Sequence, residues 1–170
     1  MNLQNQNTGI PDIPNKNVLV LGCGNILLGD DGFGPRVIDE LLKNYHFPKN
    51  VGVINAGTSV RNILFDITLS EKKPGRIIII DAYDAGRTPG EIFEISIDEI
   101  PQKKIDDFSM HQLPTSNLLK ELKDFCNIDI TIIACQIENI PTEVSTDISR
   151  KLLDAIPEVC ERISELIKNK

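Results

Sequence analysis

Val18-Leu19-Val20-Leu21-Gly22-Cys23-Gly24-Asn25-Ile26-Leu27-Leu28-Gly29-Asp30-Asp31-Gly32-Phe33-Gly34-Pro35 carries a buried strand through a glycine-rich turn into a helix. The strand is read from about Asn17 to Leu21, because consecutive aliphatic residues suit a strand covered on both faces. The helix is read from Phe33, Val37, Leu41 and Leu42 at helical spacing, with Pro35 near its start. Strand, turn and helix in this order open an α/β sheet, and in such sheets sites gather beyond the carboxyl ends of strands. The turn carries two adjacent carboxylates, so chemistry is expected there.

Working outward, the same unit repeats. Val51 to Asn55 is a short strand, followed after Ala56-Gly57-Thr58-Ser59 by a helix through Ile63, Leu64, Ile67 and Leu69. After the turn Lys72-Lys73-Pro74-Gly75, the run Arg76-Ile77-Ile78-Ile79-Ile80-Asp81 reads as a central parallel strand whose carboxyl end is Asp81. Pro89-Gly90 introduces Glu91 to Ile95, whose partial alternation predicts an edge or antiparallel strand. Ser96 to Met110 is polar and aperiodic and reads as a loop with a short turn of helix. A helix over Thr115 to Phe125, with Leu118, Leu119, Leu122 and Phe125 on one face, precedes a fifth strand from Ile128 to Ala134. Ile148, Leu152, Ile156, Val159, Ile163 and Ile167 then keep helical spacing, with Pro157 marking a point for a kink. The expected architecture is α/β: a three-layer α/β/α sandwich with a mostly parallel sheet of about five strands. The expected organisation is a flexible N-terminal extension over 1–16 and a single domain over 17–170.

The 170 residues suffice to bury roughly two-thirds of the unfolded surface in one core. A net charge of −7 excludes the basic footprint that nucleic acid requires. Cys23, Cys126, Cys135 and Cys160 include no C-x-x-C pair, which argues against a zinc knuckle or redox motif and fits free thiols in a cytoplasmic protein. No apolar run reaches the roughly 20 residues that cross a bilayer, so no membrane partner is expected.

The glycine run does not suit a dinucleotide. The fingerprint G-x-G-x-x-G opens directly into a helix, whereas position 27 is leucine and Asn25 to Gly29 delays the helix. Asp30 and Asp31 would also repel a pyrophosphate. The two aspartates have a plainer role open to them, capping of the helix that follows. Asp81, at the end of four isoleucines, lies beside a dry core and needs donors, a partner or a metal to stay ionised, unless it is solvated just past the strand. His111 and His46 are the two histidines. His46 reads as a surface or hydrogen-bonded structural residue. His111 gains interest beside Asp31 and Asp81, because carboxylate, carboxylate and imidazole suit a divalent first-row metal such as nickel, zinc or manganese.

The chain resembles the hydrogenase maturation endopeptidases, which trim the C-terminal extension from the large subunit of nickel-iron hydrogenases. The resemblance rests on Val18 to Gly32, Ile79-Ile80-Asp81-Ala82, Pro89-Gly90 and His111-Gln112, in order and spacing over about the first two-thirds of the chain. Asp30-Asp31-Gly32-Phe33-Gly34-Pro35 and Asp81-Ala82-Tyr83-Asp84-Ala85-Gly86-Arg87 look most like the delta-subunit branch found with the deazaflavin-coenzyme-reducing hydrogenases of methanogens.

The resemblance implies an α/β sandwich and a metal-contacting, catalytic trio of Asp31, Asp81 and His111. It also implies that the nickel belongs to the precursor, so that the protease itself carries none, although another divalent ion could occupy the trio in crystals. Family members carry Glu or Asp at the position of Asp31, a difference of one C–C bond, roughly 1.5 Å. The loop bearing Gly22, Gly24 and Asn25 would then leave room for the precursor tail, Asn25 helping to orient a peptide carbonyl. Cys23 has no histidine placed to activate it and reads as a small buried thiol. The competing class is a non-catalytic module, either a hydrogenase-associated binding subunit or a small-molecule α/β binder. Self-association is left open by the sequence.

Overall fold

The computed structural model describes residues 13–99 and 116–168. Five strands and four helices are present among them: β1 (Val18–Cys23), α1 (Phe33–Asn44), β2 (Val51–Gly57), α2 (Val60–Leu69), β3 (Arg76–Tyr83), β4 (Ile92–Ile95), α3 (Ser116–Asp124), β5 (Asp129–Gln136) and α4 (Arg150–Lys168). The sheet order is β2-β1-β3-β5-β4. All pairings are parallel except β4 with β5, which places the antiparallel strand at an edge, as its alternation predicts.

Alternation along the central strands feeds two cores. Val18 and Val20 of β1 and Ile78 and Ile80 of β3 face Val37, Ile38 and Leu41 of α1 and Leu152, Val159 and Ile163 of α4. Leu19, Leu21, Ile77 and Ile79 face the other way, onto Leu64 and Ile67 of α2 and Leu119 and Leu122 of α3. Adjacent strand residues point to opposite faces, so an aliphatic run with no polar break lets one strand serve both layers. Each fully buried aliphatic side chain in these cores contributes about 1.5–3 kcal/mol relative to exposure.

Several boundaries differ from the sequence reading, each for a structural reason. β3 does not end at Asp81: the ladder continues to Tyr83 because Asp81, Ala82 and Tyr83 pair with Ala134, Cys135 and Gln136 of β5. Ile13 is buried in the second core and Ile13–Asn15 form a 3₁₀ turn, so ordered packing starts ahead of residue 17. Leu69 and Phe125 do not join their helices' buried faces; Phe125 lies beyond α3 and is 85% exposed. α4 starts at Arg150, after Ile148, and runs through Pro157.

Two glycines bring α1 close over the sheet. A Cβ on Gly34 would lie 2.2 Å from the Cys23 carbonyl oxygen and 2.5 Å from that of Ile80. A Cβ on Gly22 would meet Ile38 at 2.4 Å and the Gly34 carbonyl oxygen at 2.5 Å. The glycines therefore let the start of α1 sit directly on the carboxyl edge of β1 and β3, which delivers the preceding turn to that edge.

Candidate active site

The turn from Gly24 to Gly32 closes on itself. Asp31 Oδ2 accepts the Asn25 backbone N–H at 2.7 Å, and Asn25 Oδ1 accepts the Leu27 N–H at 3.0 Å. Gly24 has φ +122°, and a Cβ there would lie 1.8 Å from the Asp31 carbonyl oxygen. Gly29–Gly32 form a 3₁₀ turn before α1 begins at Phe33, the delay that the sequence suggests.

Neither aspartate occupies the cap position of α1: Leu28 and Gly32 precede the 3₁₀ turn and the helix, and neither makes a side-chain cap bond. Their tasks divide differently. Asp30, 2% exposed, turns to the segment between β5 and α4 and accepts three backbone N–H groups there: Glu138 at 2.8 Å, Asn139 at 3.0 Å and Ser149 at 2.7 Å. Asp31, 8% exposed, holds its own loop closed and faces the neighbourhood of Asp81.

Asp81 is 6% exposed, and its Oδ1 accepts the Ala82 N–H at 2.9 Å. Burial, and after it the charge of Asp31, push its carboxyl up to about 8; the Ala82 bond offsets only part of this. On the adjacent strand Cys23 is fully buried, and its thiol is held well above the ordinary range by burial, then by Asp81 and Asp31. A thiol kept protonated in this way is a poor nucleophile. Among the described residues, two carboxylates and an unactivated thiol thus mark this edge.

Of the residues predicted for the site, Asp31 and Asp81 lie near enough for the charge of Asp31 to act on Asp81. His111 lies outside the described residues, as do Ser109, Met110 and Gln112. Among the described residues no group of three or more His, Cys, Asp or Glu side chains is arranged to hold a metal ion; the pair Asp31 and Asp81 offers oxygen donors for two positions. Gly22 belongs to β1 and is accounted for by packing under α1, while Gly24 and Asn25 shape the turn around Asp31.

The same edge carries a groove of about 480 Å³ between the β3–β4 connection and the end of β5, lined by Asp84, Arg87, Gln136, Glu138 and Asn139 among others. Gln136 was not singled out by the sequence. It is buried, its Oε1 accepts the N–H of Ala85 at 2.8 Å and Arg87 at 3.0 Å, and its Nε2 donates to Asp84 Oδ1 at 3.0 Å. The signal for it is an amide closing the apolar run Ile132-Ile133-Ala134-Cys135. Arg87 lies over the Phe93 ring at 4.4 Å and pairs with Glu91 at 2.7 Å, which holds the groove wall flat against β4.

With this geometry in hand, similarity to known proteins becomes decisive. A family model described as hydrogenase maturation protease matches residues 35–166. The chain belongs to the hydrogenase maturation protease family. Within it, the chain is 34% identical over 154 residues to the delta subunit of coenzyme F420 hydrogenase from Methanothermobacter thermautotrophicus, covering 88% of this chain and 94% of that protein. The crystal structure of the [NiFe] hydrogenase maturation protease HycI from Thermococcus kodakarensis superposes with a TM-score of 0.69 at 26% identity, covering 91% of this chain and 94% of that one. The hydrogenase maturating endopeptidase HybD from E. coli superposes with a TM-score of 0.68 at 25% identity, covering 89% and 92%. Membership makes this chain a peptide-cleaving enzyme and places the α/β sandwich expected from the sequence among solved hydrogenase maturation proteases.

Proposed function

We propose that this hydrogenase maturation protease removes the C-terminal extension of a nickel-iron hydrogenase large-subunit precursor, and that the nickel already held by that precursor is what it recognises. The reading is carried by one observation: two buried carboxylates, Asp31 and Asp81, lie within electrostatic reach of each other at the carboxyl edge of β1 and β3, and the thiol of Cys23 beside them is held well above its ordinary range. Both side chains offer hard oxygen donors suited to a divalent first-row ion. Asp31, Asp81 and His111 are the groups assigned to contact the metal cargo of the substrate. A nickel ion arriving here would lower the pKa of an attacking water or polarise the scissile carbonyl.

The protein's own part is to position and to handle protons. Burial and the charge of Asp31 push the Asp81 carboxyl up to about 8, which favours a proton there at neutral pH. One carboxylate is thereby set to accept a proton from water and the other to donate one to the leaving amine, the division of labour of paired acids. This supports aspartic-type chemistry. Cation arrival would displace the Asp81 proton, since positive charge favours the ionised form. Four free cysteines support action in the cytoplasm, and among the described residues no helix is long and apolar enough to cross a membrane.

The deciding assay incubates the purified protein with nickel-loaded and nickel-free precursor and follows the tail by mass spectrometry. Cleavage of the loaded form alone is expected, and His111→Ala should abolish it while leaving the circular dichroism spectrum unchanged. Tight binding of an intact, loaded precursor would instead make this chain a binding subunit. Equal cleavage of both forms would remove nickel from recognition.

A further inference from the structure

The three donors that meet Asp30 are 108, 109 and 119 residues further along the chain. The two segments are also zipped by backbone bonds: Gly29 N–H donates to the Ser145 carbonyl at 2.8 Å, and Ser145 N–H to that of Leu27 at 2.9 Å. Arg36, on α1, donates to the Thr146 carbonyl at 2.7 Å. On the neighbouring residue, Asp31 takes the Asn25 N–H, and Gly24 is pressed against the Asp31 carbonyl. Two of the amides bound by Asp30, those of Glu138 and Asn139, belong to the wall of the groove. One buried carboxylate therefore ties the turn that carries Asp31 to the wall of that groove.

We propose that Asp30 is a positioning residue: it fixes the Asp31 carboxylate relative to the groove wall at Glu138 and Asn139, so that a peptide in the groove meets Asp31 and Asp81 in one geometry. The role rests on the proposed protease reading of the site. An aspartate is required because three N–H donors converge on two oxygens. Asparagine supplies one accepting oxygen and an NH₂ group that faces a donor, so either the Ser149 amide or the Glu138 and Asn139 pair loses its acceptor. Displacements of about 1 Å suffice to cost on the order of a hundredfold in rate.

The test is Asp30→Asn in the full chain, with Ile163→Ala as a destabilised control. Ile163 lies in α4 13 residues past Arg150, on the order of 20 Å along the helix. Amide exchange is followed by NMR, and kcat and KM are measured on the nickel-loaded precursor below both variants' melting temperatures. Asp30→Asn is expected to lower protection about tenfold at Glu138, Asn139 and Ser149 and also at Asn25, whose acceptor is Asp31. It should lower kcat by about 10- to 100-fold with KM within threefold, while Ile163→Ala keeps kcat within twofold. A purely structural clamp predicts lost protection at 138, 139 and 149 with an unchanged Asn25 amide and unchanged kcat, which would overturn the proposal, as would an equal kcat loss in the control. Should Asp30→Asn fail to fold, Asn139→Pro removes one donor and decides the matter: an altered Asn25 amide and a kcat loss below tenfold support the coupling, and no change in either overturns it. If the wild-type protein leaves the precursor intact, the protease reading falls, while the Asn25 amide still reports whether Asp30 holds Asp31.

Discussion

Asp81 and Asp31 bury their carboxylates within electrostatic reach of each other, and burial first, then the charge of Asp31, push the Asp81 carboxyl up to about 8. In the unfolded chain the same carboxyl titrates near 3.8. Between these values the folded state binds the extra proton, so the stabilisation is complete below about pH 4 and is lost as pH rises towards 8. A tenfold difference in proton affinity between the folded and unfolded chain is worth about 1.4 kcal/mol. Asp81→Asn keeps an oxygen for the Ala82 N–H and removes the titration, so its stability relative to wild type should rise by at least about 1.4 kcal/mol between pH 4 and pH 8. Urea denaturation across that range checks this, and parallel stability curves for the two proteins would contradict it. The same variant should lose cleavage.

Gly24 and Gly34 are the positions where a single methyl group should dismantle the site. Gly34→Ala places carbon against the Cys23 and Ile80 carbonyls and must lift α1 off the sheet. Gly24→Ala adds an unfavourable φ to a clash with Asp31. Overpacking of this kind costs about 1–3 kcal/mol, and backbone strain for a non-glycine residue about as much again. Both variants should melt earlier than wild type, Gly24→Ala by the wider margin, with cleavage lost ahead of global unfolding. A Gly24→Ala protein with wild-type melting and turnover would show that the turn has a second conformation.

The layers of the fold were readable because aliphatic runs and helical spacing are local. Ile77 to Ile80 announces a central strand by itself, and the alternation from Ile92 to Ile95 announces an edge. The ends of β1 and β3 were not readable, since their last residues are held by partners on other strands and not by their own side chains. That Asp31 and Asp81 share one neighbourhood was not legible from strand positions, which place each residue near a carboxyl edge without showing that their side chains converge; the resemblance alone grouped them. The separate roles of Asp30 and Asp31 were not legible either, because both are aspartates in one turn and the donors that distinguish them come from beyond β5. Gln136 was hidden for the same reason: its partners belong to the connection between β3 and β4.

Cys23 should be dispensable for chemistry. It is fully buried and its thiol stays protonated through neutral pH, so iodoacetamide at pH 7.5 should leave it unmodified in the native protein. Cys23→Ala should keep kcat within a few-fold and cost about 1 kcal/mol of stability from the small void. Turnover lost in a variant that still folds would make Cys23 one of the reacting groups.

Gln136 makes the groove wall depend on one side chain. Its amide satisfies Ala85 and Arg87 and donates to Asp84, while Arg87 stacks on Phe93 and pairs with Glu91. Gln136→Leu preserves bulk but leaves the part-buried backbone N–H groups of Ala85 and Arg87 without their acceptor, a loss of up to about 1–3 kcal/mol each where water cannot replace it. The connection from Asp84 to Arg87 relieves this by moving towards water, which widens the groove. The Asp31 turn keeps its own bonds through Asn25 and Asp30, so the chemistry itself is spared. The expected result is an increase in KM for the precursor of about tenfold, by the conversion of about 1.4 kcal/mol, with kcat within twofold and faster exchange at the Ala85 and Arg87 amides. A variant that exchanges faster at these amides yet keeps KM would mean that the precursor tail does not run along this wall.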